Sequence, residues 1–310
     1  MKKPLIILAW LFGFAALHAQ QEAMYTHYMY NTLAINPAYA GSRNALTMTA
    51  LHRSQWVGFK GAPHTQTLTL HLPVYTEAVN LGLSLVNDII GPVHSTAVYI
   101  DYAFRFNLTK TIKMSLGVKG GFNNYNFNLS KLQINSADDP AFKVNDGAFS
   151  PNVGVGIYLS HKYFYAGFSI PKLLENNYAY SFPKNHLSKE KMHFYLIGGG
   201  IVPLVENLKL KPTALFKFVP GAPLEVDLTA NFVLYDRFLL GAMYRTGDAV
   251  GLLVGYYITE QLSAGYSFDW SFVNPTGKYN GGSHEIVISY DFIFRENKKM
   301  IRSPRYFSNF

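Results

Sequence analysis

The chain has 310 residues, no cysteine and a formal charge of +8, with aromatic and charged residues at 15% each. A hydrophobic fraction of 49% excludes a disordered chain, and the lack of cysteine excludes a disulfide scaffold, a cysteine zinc site and a thiolate nucleophile. Charge lies well below the roughly 25% of an ordinary soluble domain, so the solvent around much of this surface is in question from the start.

Residues 1–19 read as a secretory signal peptide. Lys2 and Lys3 precede an apolar run from Leu5 to Leu17, and Leu17-His18-Ala19 forms a tolerable cleavage site. The run is short of the roughly 20 apolar residues that a spanning helix needs. No later stretch is long and apolar enough for one. The exported chain is therefore expected either to be soluble outside the cytoplasm or to be a β-barrel.

Alternation selects the barrel. From Thr96 onward, Val98, Ile100, Tyr102, Phe104 and Phe106 alternate with Ala97, Tyr99, Asp101, Ala103 and Arg105. Leu208, Leu210, Ala214, Phe216 and Phe218 share one parity, against Lys209, Lys211, Thr213 and Lys217. Leu224, Val226, Leu228, Ala230, Phe232 and Leu234 oppose Glu225, Asp227, Thr229 and Asn231. Near the end, Ile286, Ile288, Tyr290, Phe292 and Phe294 alternate with Glu285, Ser289, Asp291 and Arg295. Strand side chains point to opposite faces with period two, so each run is a strand with one apolar and one polar face.

In chain order, strands are expected near 45–56, 64–75, 79–88, 94–106, 111–122, 151–160, 162–171, 190–203, 207–218, 223–235, 236–246, 248–259, 261–271 and 283–294. An even count of about fourteen strands, each of about ten residues, fits a transmembrane barrel. Sandwich strands are shorter, at about 5–6 residues. The polar parity also holds Gly82, Ser84, Gly117, Lys119, Gly154, Gly156, Gly255, Ser263, Gly265, Ser267 and Asp269, which suits a wet or polar-filled lumen. The expected fold is all-β: a transmembrane antiparallel up-and-down barrel over 45–294, an N-terminal periplasmic or plug segment over 20–44 and a basic periplasmic tail over 295–310.

The three longest connections, 123–150, 172–189 and 272–282, follow strands five, seven and thirteen. With the first strand starting in the periplasm, all three face the cell exterior, and the tight turns at 107–110, 160–162, 235–237 and 259–261 face inward, as in outer-membrane barrels. The charges of the best strands sit on the lumen parity, because a charge in lipid at mid-bilayer costs about 2–4 kcal/mol. Lys217 is expected opposite Glu225 and Lys211 opposite Asn231. With Asp227, these form a structural lumen network. His71 falls on the same polar face.

The tail holds Arg295, Lys298, Lys299, Arg302 and Arg305 against Glu296, a balance of +4. With two leader lysines, most of the basic excess is terminal, which gives no reason to invoke nucleic acid. Catalytic spacings are absent. His284-Glu285 lacks a second histidine four residues on, Gly154-Val155-Gly156 lacks a third glycine, and Gly198-Gly199-Gly200 lacks a following Lys-Ser or Lys-Thr. No cofactor, metal site or enzymatic activity is expected.

The segment between leader and barrel carries the most specific signal. Tyr28, Asn31, Leu33, Asn36, Pro37, Tyr39, Ala40 and Gly41 together resemble the opening signature of the PorP/SprF family, part of the type IX secretion and gliding motility machinery of Bacteroidota. Arg53-Ser54-Gln55-Trp56 with Gly58 and Pro63, Asn87-Asp88 with Gly91-Pro92, Asp138-Asp139-Pro140-Ala141-Phe142, Pro151-Asn152 and Ser303-Pro304-Arg305-Tyr306-Phe307 resemble further family motifs in order. Thr26-His27 departs from the family's Ser-Gln type pair.

The resemblance implies a role rather than a reaction. It implies a non-enzymatic outer-membrane component of a Gram-negative bacterium, with both termini periplasmic. The implied partners are membrane lipid, a peptidoglycan-associated periplasmic lipoprotein, the ring and motor complex, a separate translocon, and cargo such as adhesins bearing a C-terminal sorting domain. A lumen of about fourteen strands is too narrow for a folded adhesin, so an anchoring or supporting role is expected. Tyr28, Asn31, Asn36, Pro37 and Tyr39, and in the tail Arg302, Pro304, Arg305 and Tyr306, are the candidate partner contacts. The alternatives are an outer-membrane transporter of small hydrophobic solutes and a surface hydrolase.

Overall fold

The computed structural model describes residues 22–74, 77–128, 146–176, 190–272 and 279–293. Its strands are β1 (Leu46–Ser54), β2 (His64–Pro73), β3 (Val79–Ile90), β4 (Val93–Asn107), β5 (Lys113–Phe127), β6 (Asp146–Ser160), β7 (Phe164–Ile170) and β8 (Phe194–Gly200). They continue as β9 (Val202–Val205), β10 (Leu208–Phe218), β11 (Glu225–Leu234), β12 (Phe238–Arg245), β13 (Ala249–Tyr257), β14 (Leu262–Ser271) and β15 (Ser283–Phe292). β8 and β9 both pair with β10 and are two halves of one stave interrupted at Ile201. The staves therefore number fourteen, as the alternation predicts.

Each stave pairs antiparallel with its sequence neighbour, and β15 returns to β1 with Leu46 opposite Phe292, closing the cylinder. Closure removes every open edge, which a bilayer requires because its hydrocarbon cannot satisfy backbone N–H and C=O groups. Among the described residues no helix is long and apolar enough to cross a membrane; the strands do so.

The burial pattern is that of a protein turned inside out. On β4, Ile100 is 62% exposed on the outside, whereas Asp101, one step on, is fully buried inside. On β11, Leu228 is 48% exposed and Asp227 only 1%. Water would penalise such an exterior and hydrocarbon would not, so lipid is the medium that this face fits.

Strand ends differ from expectation in one informative place. β5 runs on to Phe127 and β6 starts at Asp146, further toward the connection between them than the expected 111–122 and 151–160, whereas β4 ends within one residue of expectation. The outward positions of that extension on β5 are Asn124 and Asn126, just past the packed Phe122–Phe149 rings at 5.0 Å. Alternation marks the lipid zone; backbone pairing continues above it. At the opposite mouth, Tyr235 and Asp236 both take positive φ (52° and 54°) in a tight turn from β11 to β12, the backbone that suits a twisted hairpin. The connections following β5, β7 and β14 all leave from one mouth, hereafter the loop mouth. The end at which β1 starts is the turn mouth.

Candidate functional site

The chain from Glu22 to Asn44 runs through the cylinder. It includes one helical turn, α1 (Thr32–Ile35), and a 3-10 turn at Pro37–Tyr39. Asn36 links the two: its side-chain oxygen accepts from the Ala38 amide at 3.0 Å, and its amide donates to the Ile157 carbonyl at 3.1 Å. Pro37 suits the first position of a helical turn, where no N–H is needed. This turn lies flush against the wall only because two wall residues lack a side chain. A Cβ on Gly117 would stand 2.2 Å from the Ala38 nitrogen, and one on Gly156 would stand 2.1 Å from Asn36 Oδ1.

Charged wall residues hold the rest of the segment. Toward the loop mouth, Glu285 accepts from the Thr26 and His27 amides at 2.9 and 2.7 Å and contacts His27 Nδ1 at 2.8 Å. Arg53 pairs with Asp269 at 2.7 Å and Glu285 at 3.2 Å and donates to Thr26 Oγ1 at 2.8 Å. Midway, Lys119 donates to the Leu33 and Ala34 carbonyls at 3.1 and 2.9 Å, satisfying acceptors that so short a helix leaves open. At the turn mouth, Arg105 donates to Asn44 Oδ1 at 2.7 Å, the Gly41 amide donates to His71 Nδ1 at 3.2 Å, and Arg43 pairs with Asp291. Buried charges persist only when paired and hydrogen-bonded in this way.

Glu22 is held at the loop mouth. Lys172 pairs with Glu22 and Glu190, both at 2.9 Å, and Tyr195 donates to Glu22 at 3.2 Å. Burial raises the Glu22 carboxyl, but Lys172, His193 and Lys217 outweigh it and hold the group well below the ordinary carboxylate range. Burial penalises the Lys172 ammonium, and Glu22 chief among its neighbours more than restores it. The described chain thus begins at the mouth opposite the one at which β15 ends, although the sequence suggests that both ends share a side. The N-terminal segment crosses the lumen once before β1 starts, which puts its two ends at different mouths.

The predicted site residues fall in three groups. Tyr28, Asn31, Asn36, Pro37 and Tyr39 are all buried inside the cylinder. Tyr28 Oη lies 3.2 Å from Thr229 Oγ1, Asn31 donates to Thr67 at 3.1 Å, and Tyr39 meets Tyr158 edge-on at 5.3 Å. Arg302, Pro304, Arg305 and Tyr306 lie outside the described residues. Of the wall charges, Lys217 sits opposite Glu225 and Lys211 opposite Asn231, in the register read from sequence. Lys217 and Glu225 are 3.9 Å apart, whereas Lys211 lies over the Tyr257 ring at 5.5 Å. Asp227 takes Arg245 in a two-point bond at 2.8 and 3.1 Å.

Sequence reasoning missed Arg53, Arg245 and Asp269 as holding residues, and set Glu285 aside with His284 as a failed metalloprotease motif. Their common signal was parity: each is charged and on the lumen side of a strand.

A closed, even-staved antiparallel cylinder with an apolar exterior and a polar, ion-paired interior defines an outer-membrane β-barrel protein. Residues 17–290 match the family described as "Type IX secretion system membrane protein PorP/SprF", and the chain belongs to that family. No curated protein matches the chain. Among solved structures it is similar to the Ralstonia pickettii toluene transporter TbuX, with 8% identity over 84% of this chain and 92% of that one and a TM-score of 0.49. It is also similar to the CymD monoaromatic hydrocarbon channel, with 9% identity over 86% and 93% and a TM-score of 0.49. Acinetobacter baumannii Omp33 shares 10% identity over 81% and 100%, with a TM-score of 0.46. Likenesses at this level carry no inference about activity.

Proposed function

We propose that the protein is a non-conducting, non-enzymatic support of type IX export. In this reading it sits in the outer membrane with its loop mouth outward, and anchors or assists the surface attachment of large cargo such as adhesins while a separate translocon passes them. The observation that carries this reading is the occupied lumen: the segment from Glu22 to Asn44 is bonded to the wall from one mouth to the other. A folded cargo has no path through such a cylinder.

Because Tyr28, Asn31, Asn36, Pro37 and Tyr39 are committed to the interior, periplasmic contact with the lipoprotein and the ring and motor complex falls to the turn mouth and the basic tail, with Arg302, Arg305 and Tyr306 as candidates. The test is affinity purification of the tagged full chain from its own host, paired with deletion of its gene. Recovery of type IX components, with loss of a large surface adhesin from the deletion strain, supports the proposal. Intact surface display, or recovery of none of those components, overturns it. Removing 295–310 should preserve membrane insertion and abolish the periplasmic pull-down; retained pull-down would exclude the tail.

A further inference from the structure

A cavity of about 430 Å³ lies at the loop mouth, floored by the start of the N-terminal segment. That size suits a small organic ligand. Its walls are largely apolar, with Tyr25, Ile90, Val93, Ala97 and Phe127 among the lining residues.

Three buried polar atoms of its lining residues have no hydrogen-bond partner among the described residues: Glu22 Oε1, which is ion-paired with Lys172, and the hydroxyl of Tyr99 and Nε2 of His193, which have no such pairing. Tyr99 is 5% exposed and His193 3%. An unmade bond in a buried place is costly, so native structures rarely leave one without a reason. The neighbouring charges are already matched: Lys172 is shared by Glu22 and Glu190, and Glu190 also accepts from Ser150 at 3.1 Å and Asn152 at 3.3 Å.

The two orphans have definite roles. The Lys191 carbonyl can only accept, so His193 Nδ1, 2.9 Å away, carries the proton that it donates there. Burial draws the His193 pKa below its ordinary value despite the attraction of Glu22, which favours the neutral ring with Nε2 as an acceptor. The Tyr99 hydroxyl can donate or accept. Beside the paired Lys172 cluster, Lys119 paired with Asp101 and Asp88 bonded by Thr65, the cavity therefore offers apolar surface, one acceptor and one hydroxyl.

We propose that this cavity binds a small neutral amphiphile, an apolar body with a single hydroxyl, which donates to His193 Nε2 and accepts from the Tyr99 hydroxyl. A polyol would bring more hydroxyls than the two open groups can satisfy, and an ion would leave the apolar walls unfilled. The proposal is independent of the secretion role. The filled lumen makes this a binding site rather than an entrance.

The probes are p-cresol and its hydroxyl-free counterpart toluene, titrated by calorimetry onto the full chain in lipid nanodiscs, where no detergent competes. The expected result is saturable p-cresol binding, with toluene about tenfold weaker, the typical net weight of a hydrogen bond. Tyr99→Phe should weaken p-cresol by about tenfold, leave toluene unchanged and leave the thermal midpoint unchanged, since that hydroxyl has no hydrogen-bond partner among the described residues. His193→Leu should do the same to p-cresol. No p-cresol binding, equal binding of the two probes, or p-cresol affinity untouched by Tyr99→Phe in a folded barrel would overturn the assignment.

Discussion

The two faces of one strand wall differ more than most pairs of proteins do. Outside, Leu228, Phe232, Ile286 and Leu252 stand exposed in rows. One residue away, Asp227, Asn231, Glu285 and Leu253 are buried. The outer face is generic: lipid asks only that it be apolar, so any leucine-like residue serves. The inner face is specific, because each buried charge needs a partner at a set distance, and several partners belong to the segment from Glu22 to Asn44. The contrast predicts which substitutions hurt most.

Glu285→Ala should be the most damaging. It strips two backbone amides, His27 and Arg53 of a shared acceptor, and breaking a buried pair costs about 3–5 kcal/mol. A large drop in denaturant midpoint, with new ion conductance in planar bilayers, is expected; an unchanged midpoint would show that the segment is only loosely held. Leu252→Arg puts a charge on the lipid face, where Leu252 is 63% exposed. It should cost about 2–4 kcal/mol and reduce the heat-modifiable, folded fraction on gels. Tolerance of this arginine would argue that water, not lipid, covers β13.

Gly156→Ala pushes a methyl into Asn36 and should cost about 1–3 kcal/mol as overpacking, read as a lower thermal midpoint. Glu22 adds a pH dependence. Its pKa is depressed in the folded protein below an ordinary 4.5, so its contribution is complete above that pH and falls away as the solution becomes more acid. Glu22→Gln should flatten the stability profile in that acidic range; a profile identical to that of the parent would remove Glu22 from the network. Lys113→Ala, which breaks the exposed pair with Glu77 at the turn mouth, should cost at most about 1 kcal/mol.

What could be read in the sequence follows the same division. All fourteen staves were legible, because lipid on one side enforces strict alternation and hairpin connection enforces neighbour pairing. Register across a hairpin was legible too, as Lys217 opposite Glu225 shows. Contacts across the barrel were not. Nothing in local pattern says that Arg53 reaches Asp269, or that Asn36 rests on Gly156, because those distances depend on closure and on the path of the segment inside. The end of β5 and the start of β6 were underestimated, because polar outward residues carry no alternation signal where the wall rises past the lipid.

The central claim is that hydrocarbon covers the outer face. Trp270 on β14 is 51% exposed on that face, and Trp56→Phe leaves it the only tryptophan from Gln20 onward. Reconstituted in vesicles of lipid brominated near the top of its acyl chains, this variant should lose most of its fluorescence relative to unbrominated lipid. Emission unchanged by bromination, but quenched by aqueous iodide, would contradict the account.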